Sequence, residues 1–264
     1  MAKVIGILSL KGGVGKTSIV SSLGDALSNF GKKVLLVDAN FSAPNLGLHW
    51  NIVDPSITLH HVLSRTANIK DAIHSVNNLD IIPSSIFSNL QINPLILRDK
   101  LNQVRKKYDF ILVDSAPAVN EDVLSVILAS NSLIFVTTPD YPTLSNTLKS
   151  IKLARERGAV IDGLILNKVH NEDFELSVED IEKTIEAPVL AVIPYDVEVL
   201  RALSKFIPFT SHKPRAEGSI EYKKLAGVFV GQRYKTFSLK NIFRLTPKPQ
   251  DVNRELFYKR VFKE

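Results

Sequence analysis

Lys11-Gly12-Gly13-Val14-Gly15-Lys16-Thr17-Ser18 brings together residues suited to holding one multiply charged anion. The glycines let the backbone turn tightly, so that several N–H groups and the start of a following helix point at one phosphate cluster. Lys16 has the reach to meet the β- and γ-phosphates, and the Thr17 hydroxyl can ligate Mg²⁺. Two acids lie farther along, each at the end of an apolar run: Asp38 after Val34-Leu35-Leu36-Val37, and Asp114 after Phe110-Ile111-Leu112-Val113. A carboxylate at such a place can hold a Mg²⁺-bound water, and the second can accept a hydrogen bond from the metal's shell. The chemistry these residues point to is the binding and transfer of a phosphoryl group.

The elements that must position them follow from the flanking patterns. Val4 to Leu8 reads as a buried strand, and Ile19-Val20, Leu23 and Ala26-Leu27 as the inner face of a helix. Gly31-Lys32-Lys33 then turns the chain into the strand that ends at Asp38. Strand, helix and strand in this order predict a parallel sheet with its ligand at the carboxyl ends of the strands. Further strands are expected at Leu79–Pro83, Leu133–Asp140, Val160–Lys168 and Val189–Ile193, and helices at Leu97–Lys107, Pro142–Arg157 and Gly218–Val230. The fold expected is α/β: a doubly wound, mostly parallel sheet of about seven or eight strands with helices on both faces. His60-His61 stand about 100° apart on a helix and do not share a face as metal ligands must, so they read as surface or half-buried residues.

The early lysine makes the motif more specific. The pattern K-G-G-x-G-K-T of Lys11 to Thr17 resembles the deviant Walker-A ATPases of the MinD/ParA family, on the MinD side. That resemblance covers roughly the first 230 residues and implies ATP and Mg²⁺ as cofactors, held by Gly12, Gly13, Val14, Gly15, Lys16, Thr17 and Ser18, with Thr17, Asp38 and Asp114 around the metal. It implies a homodimer formed on ATP binding, with Lys11 reaching the partner's nucleotide in trans. Lys11, Lys16, Asp38 and Asn40 are then the catalytic set. The family pattern D-x-D is here Asp38-Ala39-Asn40, so the second acid has become an amide without basicity. Slow hydrolysis follows as an expectation. By the same resemblance Asn45 contacts nucleotide or partner, Asn167 reads the purine, and Pro194 and Asp196 pack over the base, with Tyr195 where an acid is usual. Ser115-Ala116-Pro117-Ala118 resembles the family's γ-phosphate switch with one extra residue.

Composition narrows the context. The chain of 264 residues is 45% apolar and 23% charged, as a chain with a full core should be. Without cysteine it has no disulfide, thiolate metal site or cysteine nucleophile. Met1-Ala2-Lys3 runs straight into the first strand, so no signal peptide is expected, and no apolar run reaches the 18 or so residues of a membrane span. The expected location is cytoplasmic, peripheral on the inner face of the cell membrane.

All of the net charge of +6 resides in residues 233–264, which hold nine Lys or Arg against three Asp or Glu. The chain therefore divides into a nucleotide-binding domain, 1–232, and a basic tail, 233–264. Placed on helices, Leu239, Ile242 and Phe243 oppose Lys240 and Arg244. Phe257, Tyr258, Val261 and Phe262 oppose Lys259, Arg260 and Lys263, with Leu256 out of place. Such segments suit a peripheral anchor on an anionic membrane; a nucleic-acid arm or a helix packed back on the body are the alternatives. The activity expected is an ATP-dependent dimerising switch that positions a division site or polar assembly, its hydrolysis stimulated by a further protein partner. ParA-like DNA partitioning, or a nucleotide-gated scaffold with little turnover, are the other readings.

Overall fold

The computed structural model describes residues 1–117, 120–234 and 247–262. Among them is an eight-stranded sheet in the order β3-β4-β2-β5-β1-β6-β7-β8. The strands are β1 Lys3–Leu8, β2 Val34–Ala39, β3 His74–Val76, β4 Leu79–Ile82, β5 Phe110–Ser115, β6 Ser132–Thr137, β7 Ile161–Val169 and β8 Val189–Pro194. Every pairing is parallel except β3 with β4. That antiparallel hairpin turns at Asn77, whose φ of 52° is open to Asn because its short side chain tolerates the left-handed region. The expected strand at 79–83 is present, and β3 beside it was not anticipated.

Alternation along the strands divides the core between the two faces. Leu35, Val37, Ile111 and Val113 point to one side, where α2 (Leu59–Leu63), α3 (Leu97–Val104), α4 (Glu121–Ala129), α5 (Tyr141–Glu156) and α6 (Val178–Ile185) cover them. Ile5, Ile7, Leu36 and Leu112 point to the other, under α1 (Lys16–Asn29), α7 (Glu198–Ser204), α8 (Phe209–His212), α9 (Glu217–Val230) and α10 (Pro249–Phe262). Each fully buried Leu or Ile contributes about 1.5–3 kcal/mol. Gly6 lets α4 approach β1: a Cβ there would lie 2.9 Å from Val126 and Leu133 side-chain carbons.

Two expectations are corrected. His60 is buried, not superficial, and its Nδ1 accepts the Ser85 N–H at 3.1 Å, while His61 closes a capping box with Thr58 at the start of α2. The second apolar face expected in the tail is also split. Phe257 is 3% exposed, edge-on to Phe229 of α9, whereas Val261 and Phe262 lie open and Leu256 is 60% exposed. The cause is Arg254, buried to 4%, which donates to Leu190 O and Glu221 and pairs with Asp251. Those bonds fix the rotation of α10 on β8 and α9 and override the pattern. The first expected tail segment, 239–244, lies outside the described residues.

Candidate functional site

The turn between β1 and α1 is built on glycine where the backbone requires it. Gly13 and Gly15 have φ of 77° and 95°, in the left-handed region, and Gly15 caps the N-terminus of α1. A Cβ on Gly15 would strike the Asn167 amide. The first turn of α1 carries no acid, so the positive end of its dipole is left for an external anion.

Below the turn, Thr17 Oγ1 donates to Asp114 Oδ2 at 2.6 Å. Asp114 is completely buried, and its other oxygen, Oδ1, has no hydrogen-bond partner. Lys16 is buried beside it; desolvation lowers the lysine's pKa, and the Asp114 charge partly restores it. Asp38 stands directly across from Asp114 in the β2–β5 register and is also wholly buried. Its carboxylate accepts the N–H groups of Asn40 at 3.1 Å, Asn45 at 3.1 Å and Leu46 at 2.9 Å, so it organises the loop after β2. Burial pushes both carboxyls above the ordinary range, and the Asp114 charge raises Asp38 further. Two adjacent buried acids, an orphaned oxygen and a hydroxyl are a donor set that a hard divalent cation would satisfy.

Over this floor opens a cavity of about 470 Å³. Gly12, Gly13, Gly15, Lys16, Thr17, Ser18, Asn40, Asn45, Asn167, Pro194 and Asp196 line it. Asn40 donates its amide to Ala43 O at 2.6 Å, and its Oδ1 is buried without a partner. Asn167 donates to Val14 O at 2.7 Å, tying β7 to the glycine turn. Val14 itself turns into the core, and Asp38 and Asp114 lie beneath the cavity and not on its wall.

Lys11 is not on the wall either. Its Nζ donates to Thr143 Oγ1 at 2.6 Å and lies 3.4 Å from Asp140 Oδ1, at the start of α5. Both partners of that ion pair are 41% exposed, and a pair so open to water is worth about 0–1 kcal/mol.

Sequence reasoning overlooked His49, Lys168, Leu200 and Tyr222, which also line the cavity. Lys168 follows Asn167 and donates to Gly13 O at 2.7 Å, so the strand-end pair Asn-Lys was a usable signal. His49 is held neutral, its pKa lowered to about 4 by burial. Tyr222 comes from α9, far along the chain, with no local mark. Tyr195, half exposed, stacks on His170 with centroids 4.9 Å apart. Of the expected switch, Ser115 and Pro117 line the cavity, and Ala118 lies outside the described residues.

A family model described as an AAA domain matches residues 2–160. An uncharacterised ATP-binding protein of Methanocaldococcus jannaschii is 33% identical over 89% of this chain and 90% of its own. The cell division ATPase MinD of Pyrococcus furiosus superposes with a TM-score of 0.82 at 34% identity, over 86% of this chain and 97% of that one. The septum site-determining protein MinD of Pyrococcus horikoshii, solved with Mg-ADP, gives 0.81 at 33% identity, over 86% and 95%. Among the described residues no helix is long and apolar enough to cross a membrane.

Proposed function

Since the chain belongs to the MinD/ParA family of P-loop ATPases, we propose that it is a MinD-like ATPase in which ATP and Mg²⁺ switch the protein between a single and a paired state. The observation that carries this reading is the Lys16, Thr17, Asp114 and Asp38 cluster, with its orphaned Asp114 Oδ1, set under a cavity of nucleotide size. The Mg-ADP bound to the Pyrococcus horikoshii relative supports the same ligand here.

In this reading the glycine-turn N–H groups and the start of α1 hold the phosphates, and Lys16 meets their outer oxygens. Bound Mg²⁺ would neutralise charge developing on the phosphate oxygens, with Thr17 and Asp114 as its protein contacts and Asp38 behind them. Asn167, Pro194 and Asp196 lie along the same cavity wall, where the base and ribose would extend. Asn40 Oδ1 supplies a fixed acceptor for the attacking water, orienting it without taking its proton. Slow turnover follows, because positioning survives the change from acid to amide and proton acceptance does not.

Lys11 gives the switch its second state. Its exposed tether to Asp140 and Thr143 leaves it free to exchange that pair for a phosphate on a second copy, as a trans-acting cation does in phosphoryl transfer. The paired form would act in division or polar positioning, at an anionic membrane surface and with a protein partner that speeds hydrolysis. Support for the membrane is the outward side of α10, where Leu256, Val261 and Phe262 are open beside Lys259 and Arg260. ATP turnover of wild type and Asn40→Asp, with and without anionic vesicles, tests the reading. A several-fold higher rate in Asn40→Asp is expected; equal rates would remove Asn40 as the cause of slow turnover.

A further inference from the structure

We propose that a cavity walled by Arg98, Arg105 and Arg157 is a second phosphoryl-anion site, on the edge of the sheet opposite the nucleotide cavity. It measures about 230 Å³ and opens beside Asn131 and Val160, the residues just before β6 and β7. The nucleotide cavity instead lies past the carboxyl ends of the strands, so the two are separated by the length of the sheet.

The three guanidinium groups come from different places in the fold: Arg98 from the first turn of α3, Arg105 from the turn that ends it, and Arg157 from the C-cap of α5. No acid lines this cavity. Among the described residues the guanidinium group of neither Arg98 nor Arg157 pairs with an acid or donates to a carbonyl. Their chain neighbours Asp99 and Glu156 are not on its wall. Arg105 is already oriented, since its Nε donates to Ala2 O at 2.8 Å and a terminal nitrogen donates to Asn131 Oδ1. Asn131 Oδ1 also accepts the Val4 N–H, which leaves the Asn131 amide N–H groups as further donors.

Cations gathered this closely repel unless something negative sits between them. The carbonyl ends of α4 and α5 lie close by and offer partial negative charge, but the guanidinium groups of Arg98 and Arg157 make no bond to them among the described residues. A phosphoryl group matches what is left, because the planar guanidinium fork meets its oxygens two at a time. The volume suits a phosphate on a small carrier and is below that of a drug-sized pocket. Beyond the Arg105–Lys107 turn, Lys33, Lys70 and Lys107 line another cavity of about 440 Å³, in which Asp80 already accepts from Tyr108 and Ser75. These lysines add to the positive potential that would draw an anion to this edge.

The ligand is a soluble phosphate ester or the phosphate of a lipid headgroup, and two arms separate these sources. In the first, inorganic phosphate is titrated by calorimetry at constant ionic strength into wild type and Arg98→Gln/Arg157→Gln. Both arginines are exposed, so the fold should survive, and binding of a fluorescent ATP analogue should be unchanged. Saturable binding that weakens at least tenfold in the double variant is the expected result. In the second, sedimentation with phosphatidic acid in phosphatidylcholine vesicles compares the same proteins; a loss there together with weak free-phosphate binding makes the headgroup the source. If the two proteins behave alike in both arms, or phosphate binds no better than chloride, the proposal fails.

Discussion

Buried polar groups at two ends of this molecule are treated in opposite ways. Arg254 on α10 is buried to 4% and is partnered by Glu221, Asp251 and the Leu190 carbonyl. Around the glycine turn, Asp114 Oδ1 and Asn40 Oδ1 are equally hidden and have no partner, and Lys16 is buried beside acids that burial pushes toward their neutral form. Folding normally satisfies such groups, so a buried network that is complete holds structure, and one that is incomplete waits for a ligand. The contrast separates a fastening from a site without reference to any relative.

The contrast breaks first, and by most, at Lys16. Removing a preorganised charge of this kind costs about 10²–10³-fold in turnover. Lys16→Ala should show that loss in steady-state ATPase, with a thermal midpoint no lower than wild type, since it also removes a desolvated charge. A protein that unfolds instead would place Lys16 among the structural groups. Arg254→Ala should do the reverse. It leaves buried Glu221 with Lys224 as its remaining cation, and breaking the buried pair costs up to about 3–5 kcal/mol, read as an earlier urea transition. ATP affinity per folded molecule should hold, and Glu221→Gln in the same chain should recover part of the loss.

A smaller effect sharpens the comparison through pH. Asp38 and Asp114 keep their protons to higher pH in the folded chain than in the unfolded one. Their contribution is therefore fully present in acid, below the ordinary carboxylate range, and is lost as pH rises toward about 8. Asp140 and Asp251, whose pKa values are lowered, act in the opposite sense but below that range. His49 and His60, whose pKa values burial lowers, act in the opposite sense up to the ordinary imidazole range, so the melting temperature of nucleotide-free protein should fall between about pH 6.5 and 8, and Mg²⁺ with ADP should flatten the slope. A melting temperature that climbs with pH there would contradict the unsatisfied pair.

How much could be read from the chain follows the same division. The glycine turn was legible because its meaning is local: Gly13 and Gly15 must adopt left-handed angles, and Lys16 and Thr17 follow at fixed spacing. Asp38 and Asp114 were legible as strand-end acids, because two apolar runs place them on one edge. What Asp38 does for the Asn40–Leu46 loop was not, since three backbone N–H groups leave no trace in residue type. The tether of Lys11 to Thr143 joins positions more than 100 residues apart, with no pattern to link them. The tail misled for a related reason. Periodicity states that a helix has faces, but Glu221 and the Leu190 carbonyl decide which one turns inward. Tyr222 entered the cavity by the same long-range packing of α9.

Sedimentation velocity of wild type and Lys11→Ala, each with Mg²⁺ and either ADP or a slowly hydrolysed ATP analogue, bears most directly on the central claim. The account predicts a single species with ADP, a dimer of wild type with the ATP analogue, and a Lys11→Ala protein that binds the analogue yet stays single. A wild type that remains single with the analogue, or a Lys11→Ala protein that pairs as readily, would contradict it.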